Sequence, residues 1–106
     1  MSDWLTKLAR GMPCQIRLPG CLSGTETVVA CHYRLAGLCG VGMKPDSILC
    51  AWGCQHCHDC CDGRKKLIGW THEMLRLAHA EGVIRTIARL ISMGKIGALK
   101  RGVEAA

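Results

Sequence analysis

The residues with the most chemistry per length lie between Cys54 and Arg64, where CQHCHDCCDGR packs four cysteines, two histidines and two aspartates into eleven positions. Cys54 and Cys57 form a C-x-x-C knuckle, a spacing that lets two sulfurs converge on one ion while backbone amides point at the thiolates. Tetrahedral zinc needs two further ligands. Cys14 and Cys21, which flank a Pro19-Gly20 turn, are the best remaining pair. A four-thiolate structural site of this kind would tie the N-terminal loop to the start of a helix. Of the other cysteines, Cys50 within ILCAW reads as a small buried hydrophobe, and Cys39 in a glycine loop as incidental. Cys60 and Cys61 are on different faces if the helix has begun, and are able to compete for the metal.

The histidines offer a different chemistry. His58 and Asp62 are four apart, so on a helix they share a face. Adjacent helical residues point about 100° apart, so Cys57 can face the structural metal while His58 faces elsewhere. One imidazole and one carboxylate can hold a second divalent ion with positions left for water or phosphate, the open arrangement of a catalytic site. The plainer alternative is a surface histidine or a spare zinc ligand. His32, in VACHYR, suits a general base near neutral pH. Arg34, two residues on and on the same side of a strand, is able to grip a phosphate. Lys44 and Arg64 flank the same region as further phosphate contacts. His56, inside the knuckle, reads as exposed. His72 and His79, seven apart on a helix, share a face and suit a structural or solvent role.

These groups must be positioned by short elements. Residues 3–10 can form a helix with Ser2 or Asp3 as N-cap and Gly11 as stop. Residues 26–34 and 47–53 read as strands, separated by a loop over 36–46 that is rich in glycine. A helix should open near Cys57 or His58. From Thr71 to Met93 the apolar positions Met74, Leu75, Ala78, Ile84, Ile87, Ala88 and Ile91 recur at helical spacing, with Gly82 a point where the helix can break or bend. The tail from Gly94 reads as frayed.

Composition sets the frame. A chain of 106 residues implies a single domain over 1–106, with a metal-bound core at about 12–66 and a helical extension at about 70–95. Phe is absent and the aromatics are Trp4, Tyr33, Trp52 and Trp70, so the core is thin and a metal or disulfide staple is expected. The nine cysteines are odd in number, show knuckle spacing, and follow an N-terminus without the apolar run of a secretory signal. That argues for zinc thiolates in a reducing cytoplasm rather than disulfides. No stretch approaches about 18 unbroken apolar residues, so no membrane span is expected. The net charge of +6 and pI near 9.0 point to a polyanionic partner, nucleic acid above all. The alternative is charge that only maintains solubility.

A histidine at a strand end, a loop, a second strand and then C-x-x-C-H opening a helix resembles the HNH (His-Me finger, ββα-metal) endonucleases. Within that superfamily LARGMPCQIRLPGC, CHYRLAGLCGVGMKPD and CQHCHDCCDGR look like the small prophage-encoded nuclease-like proteins of the YbcO type. The resemblance covers roughly residues 7–64. It implies an α+β fold: a small zinc-stabilised ββα-metal core with a short N-terminal helix and C-terminal helices. It implies His32 as the general base activating water, His58 and Asp62 on a catalytic Mg²⁺, Mn²⁺ or Zn²⁺, and Cys14, Cys21, Cys54 and Cys57 on structural zinc. The implied reaction is hydrolysis of a DNA phosphodiester; the residues themselves leave RNA open as the alternative polymer. A zinc-stabilised binding module without cleavage is one alternative, and an accessory protein of a phage recombination or replication complex, with a dimer seam on helix 71–93, is another. Two positions depart from the family. Cys31 stands where many members carry an acidic metal ligand, so the metal relies on His58 and Asp62, or Cys31 draws zinc, or catalysis is weakened. No Asn or His fills the middle motif position, where Asp46 and Ser47 are the nearest polar residues.

Overall fold

A computed structural model describes residues 4–22, 24–35 and 48–96. The elements are α1 (Trp4–Leu8), β1 (Val29–His32), β2 (Cys50–Gly53), α2 (Gln55–Asp62) and α3 (His72–Ser92), which makes the fold α+β as expected. The two strands pair antiparallel, with Val29 opposite Gly53, Cys31 opposite Ala51 and His32 opposite Cys50. Both are shorter than the sequence suggests. The Val28 amide is taken by the Thr25 carbonyl in a turn, so β1 opens only at Val29. Ile48 and Leu49 precede β2 in a turn and bend. Within the described residues no helix is long and apolar enough to cross a membrane.

The core sits where β2 meets α3. Trp52 is fully buried, packed with Ile16, Leu18, Val28, Val83 and Leu90. In an antiparallel pair, alternate residues turn their amides away from the partner strand. Trp52 is one of these. Its N–H donates to the Thr86 hydroxyl at 3.0 Å, and its carbonyl accepts from the Gln15 N–H at 2.6 Å. The first cysteine loop and α3 therefore complete the hydrogen bonding of β2, as a sheet this small requires.

Gly82 does not break the helix: α3 runs without interruption from His72 to Ser92. A Cβ at Gly82 would lie 3.1 Å from the Ala51 Cβ and 3.1 Å from the Ile16 Cγ1. The glycine is a close-approach point that brings α3 onto β2. Thr71 starts the helix, its hydroxyl accepting the Met74 N–H at 3.1 Å. The buried face of α3 is His79, Gly82, Val83, Thr86 and Leu90. Met74, Leu77, Ile84 and Ile91 lie on the exposed side, Ile84 being 67% exposed. The apolar periodicity thus follows the outward face as much as the inward one, because α3 carries apolar residues on both.

Candidate functional site

Cys14, Cys21, Cys54 and Cys57 bring their sulfurs within 4.8 Å of one another. Cys54 is the extended N-cap residue of α2, and Cys57 follows on the first turn. Two positive-φ residues shape the loop that carries the other pair, Arg17 at φ 62° and Gly20 at φ 84°. Backbone amides from that loop point at the helix sulfurs: Leu18 N–H donates to Cys57 Sγ and Leu22 N–H to Cys54 Sγ, both at 3.4 Å. Zn–S bonds of about 2.3 Å in a tetrahedron place sulfurs about 3.8 Å apart. The Cys21 and Cys54 sulfurs are 3.7 Å apart. The S–H of Cys57 donated to Cys14 holds the Cys14 thiol well below its ordinary range, helped by the amides of Arg17, Cys54 and Ile16. The same bond, then burial, drives Cys57 up. Burial first, then the neighbouring Cys14, drives Cys21 up. The donor set fits zinc.

His56 is not simply exposed. It is half-buried, and its Nε2–H donates to the Pro19 carbonyl at 2.7 Å, locking the turn between Cys14 and Cys21. A Cβ on Gly20 would lie 2.8 Å from that nitrogen, so the ring itself excludes other residues there. Cys60 Sγ is 3.7 Å from the same nitrogen. Cys60 is buried and stands outside the group of four, as does Cys61, whose thiol burial pushes up to about 12.

On the polar side of α2, His58 Nε2 lies 3.3 Å from Asp62 Oδ2. Both are accessible, with Asp62 42% exposed. Gly63, at φ 85°, ends the helix just beyond. Arg64 turns back toward its end, with Nη2 3.9 Å from Asp62 Oδ2 and Nη1 4.0 Å from Asp59 Oδ1. Arg64 is therefore drawn to carboxylates as well as available to a phosphate.

His32 is half-buried at the last position of β1. By register it shares a sheet face with Ala30, Cys50 and Trp52, while Cys31 faces the other way. Cys31 is 1% exposed, with Sγ 3.7 Å from the Val29 carbonyl, and burial pushes its thiol up. It lies in the core, on the sheet face opposite His32 and outside the group of four cysteines. Arg34 is exposed beyond the strand end. Lys44, Cys39, Asp46 and Ser47 lie outside the described residues.

Three further residues support the site, of which only His79 was expected from the sequence to be structural. The Arg85 Nε donates to the Gln15 carbonyl at 2.8 Å, which fastens the Cys14 loop to α3. Buried Gln15 receives Arg17 on its side-chain oxygen at 3.1 Å. His79 Nε2–H donates at 2.9 Å to the carbonyl of Cys31, the residue before His32. The Tyr33 ring meets His79 edge-on, 5.0 Å between centroids, beneath the Arg76 guanidinium at 4.3 Å. His79 thus holds the peptide that leads into His32. Burial, ahead of all other causes, pulls the His79 pKa down.

A protein-family model described as "Putative nuclease YbcO" matches residues 3–95 of the chain. A curated protein of that description from Escherichia coli (strain K12) is 41% identical over 101 residues, covering 92% of this chain and all of the relative. One from Enterobacteria phage 82 matches with the same identity and coverage. A solved structure titled "Structure of a putative bacteriophage protein from Escherichia coli str. K-12 substr. MG1655" aligns with a TM-score of 0.70 at 32% identity, over 85% of this chain and 99% of that one. A match over this much of its length makes the chain a member of the YbcO family.

Proposed function

We propose that this chain is a metal-dependent endonuclease of the ββα-metal (HNH) class that hydrolyses DNA phosphodiester bonds. Its relatives carry the description "Putative nuclease", and its net charge of +6 suits a nucleic-acid partner. The observation that carries the reading is the pairing of His58 with Asp62 at 3.3 Å on the open side of a helix whose other side faces the four-cysteine centre. In this reading Cys14, Cys21, Cys54 and Cys57 hold a structural zinc. His58 and Asp62 hold a divalent Mg²⁺, Mn²⁺ or Zn²⁺, which would draw charge from the scissile phosphate. His32 takes a proton from water as the water oxygen bonds to phosphorus and the bond to the leaving oxygen breaks. Arg34, Lys44 and Arg64 hold the phosphate.

The test is nicking of supercoiled plasmid with each of the three metals, comparing the parent protein with His32→Ala. General-base catalysis contributes about 10²- to 10⁴-fold, so a loss of that size with zinc content and circular dichroism unchanged is expected. Equal cleavage by both proteins would remove His32 from the mechanism. The exposed Leu77 and Ile84 on α3 favour a second reading, an accessory protein that docks a partner through this face. Absence of nicking with every metal, together with dimerisation lost in Leu77→Lys/Ile84→Lys, would select it.

A further inference from the structure

Beyond Arg64, the residues from Lys65 to Thr71 that join α2 to α3 are not used by the reaction proposed above, yet they frame a cleft of about 290 Å³. The walls include Lys65, Lys66, Leu67, Trp70, His72 and Leu75. The combination is selective: one indole, two leucines, the Cys60 thiol, two lysines and a histidine, with no carboxylate in the lining. Asp59 and Asp62, by contrast, pair with Arg64 and His58 and are not in the lining.

The cleft is also built in advance. Gly63 closes α2 at φ 85° and Gly69 turns the chain at φ 84°. The Trp70 N–H donates to the Leu67 carbonyl at 3.1 Å, and the next residue, Thr71, caps α3. The indole is thereby fixed between a turn and a helix start. It is half-buried, and it also borders a second cleft lined by Met74, Leu77, Ala78 and, at its far end in sequence, Glu81. Lys65 Nζ lies 3.4 Å from His56 Nδ1, which anchors that ammonium at the cleft edge, and Lys66 is exposed beside it.

We propose that this cleft is a subsite for an unpaired DNA base, stacked on Trp70, with the flanking phosphates on Lys65 and Lys66. The volume is at the small end for ligand sites and suits one nucleotide rather than a segment of duplex. Stacking on an aromatic ring needs an open π-face, which a base inside a duplex does not offer. The inference rests on the nuclease reading for the identity of the polymer, and it names the form of the substrate: single-stranded DNA, or a duplex with an unpaired end or gap.

The experiment is equilibrium binding of fluorescein-labelled dT12 and of a blunt 12-base-pair duplex, by anisotropy, to the zinc-loaded His32→Ala protein without added divalent metal. Cleavage plays no part, so failure of the subsite and failure of the nuclease mechanism are read separately. Tighter binding of dT12 than of the duplex is expected. Trp70→Ala should weaken dT12 binding about 5- to 150-fold, the range found when a stacking ring is truncated, while Trp70→Phe retains most of it. Trp52 is fully buried, so in a Trp4→Phe protein indole quenching by dT12 reports on Trp70. If Trp70→Ala does not fold, Lys65→Ala/Lys66→Ala decides: both lysines are exposed, and the slope of log K against log salt should fall by about 1.4. Equal affinity for single strand and duplex, or full dT12 affinity in both variants, would overturn the proposal. Tighter binding of rU12 than of dT12 would overturn its assignment to DNA.

Discussion

Cys54→Ser is the perturbation with the largest expected consequence. Cys54 is fully buried at the N-cap of α2. Its sulfur takes the Leu22 N–H at 3.4 Å and stands 3.7 Å from Cys21 Sγ, so it joins the cysteine loop to the helix. A hydroxyl is a poor substitute for a thiolate on zinc, and the centre would be left with three ligands. Structural zinc contributes about 10–16 kcal/mol in zinc-finger peptides at neutral pH, whereas a whole domain is stable by only about 5–15 kcal/mol. With no Phe in the chain and a core built around one buried indole, little else could replace that contribution. Cys54→Ser should therefore carry no zinc by elemental analysis and show no cooperative thermal transition by circular dichroism. Cys61→Ser, at a thiol outside the group of four, should retain zinc and melt near the parent. The argument fails if Cys54→Ser keeps one equivalent of zinc and melts within about 5 °C of the parent, a shift that would correspond to only about 1 kcal/mol.

Three further outcomes are expected. Arg85→Met removes the donors to the Gln15 and Ile16 carbonyls; charged hydrogen bonds of this kind contribute about 1.5–3 kcal/mol, so the melting temperature should fall by roughly 10 °C, and Arg85→Lys should recover only part of it because an ammonium lacks the guanidinium fork. Gly82→Val presses new methyls against Ala51 and Ile16, and urea unfolding should show a loss of about 1–3 kcal/mol despite the ordinary helical preference for a side chain over glycine. Burial holds His79 below its ordinary value of 6.5, against the Cys31 carbonyl, with Arg76 and His58 lowering it and Asp62 raising it to lesser degrees. The unfolded chain then binds the proton more readily, so this contribution to stability is complete above about pH 6.5 and is lost as pH falls through the lower folded value. The parent's urea midpoint should accordingly drop more between pH 7 and pH 5 than that of His79→Gln, and equal drops would show that His79 does not titrate in this range.

What the sequence made legible is whatever is local. The C-x-x-C spacing and the Pro19-Gly20 turn marked the four cysteines that meet, and the four-residue spacing of His58 and Asp62 was enough to bring them together on a turn of helix. Alternation along β1 puts Cys31 on the face opposite His32; Cys31 was read by residue type instead, which left it open as a zinc ligand. The long-range partners were not legible. Arg85 reads as one more cation on a basic helix, and only the approach of α3 at Gly82 brings it to the Gln15 carbonyl, 70 residues away in the chain. Gly82 itself carries opposite meanings in sequence and structure: in isolation it weakens a helix, but against Ala51 it is the residue that lets the helix close on the sheet. The apolar residues of α3 were read as one stripe, and Met74, Ile84 and Ile91 proved to be on the exposed side. His56 was hidden for the same reason as Arg85, since its partner at Pro19 is 37 residues away.

The eight residues of α2 are too few to hold a helix in water, because nucleation fixes several residues before any hydrogen bond rewards it. Its N-cap, Cys54, makes no side-chain cap hydrogen bond. Burial of Cys57 and Cys60 and the Gly63 stop help to fix the helix, and on the proposed reading zinc ligation at its first turn does the rest. The His58–Asp62 pair occupies a third face of those same few turns. On the proposed reading the two metal sites are therefore coupled without sharing a ligand: the sulfur centre sets the helix, and the helix sets the distance between imidazole and carboxylate. Removal of zinc should then abolish binding of the second metal, whereas Asp62→Asn should weaken the second metal and leave zinc untouched. The opposite order, with the outer site surviving chelation of zinc, would mean that α2 is held by its packing on the core instead.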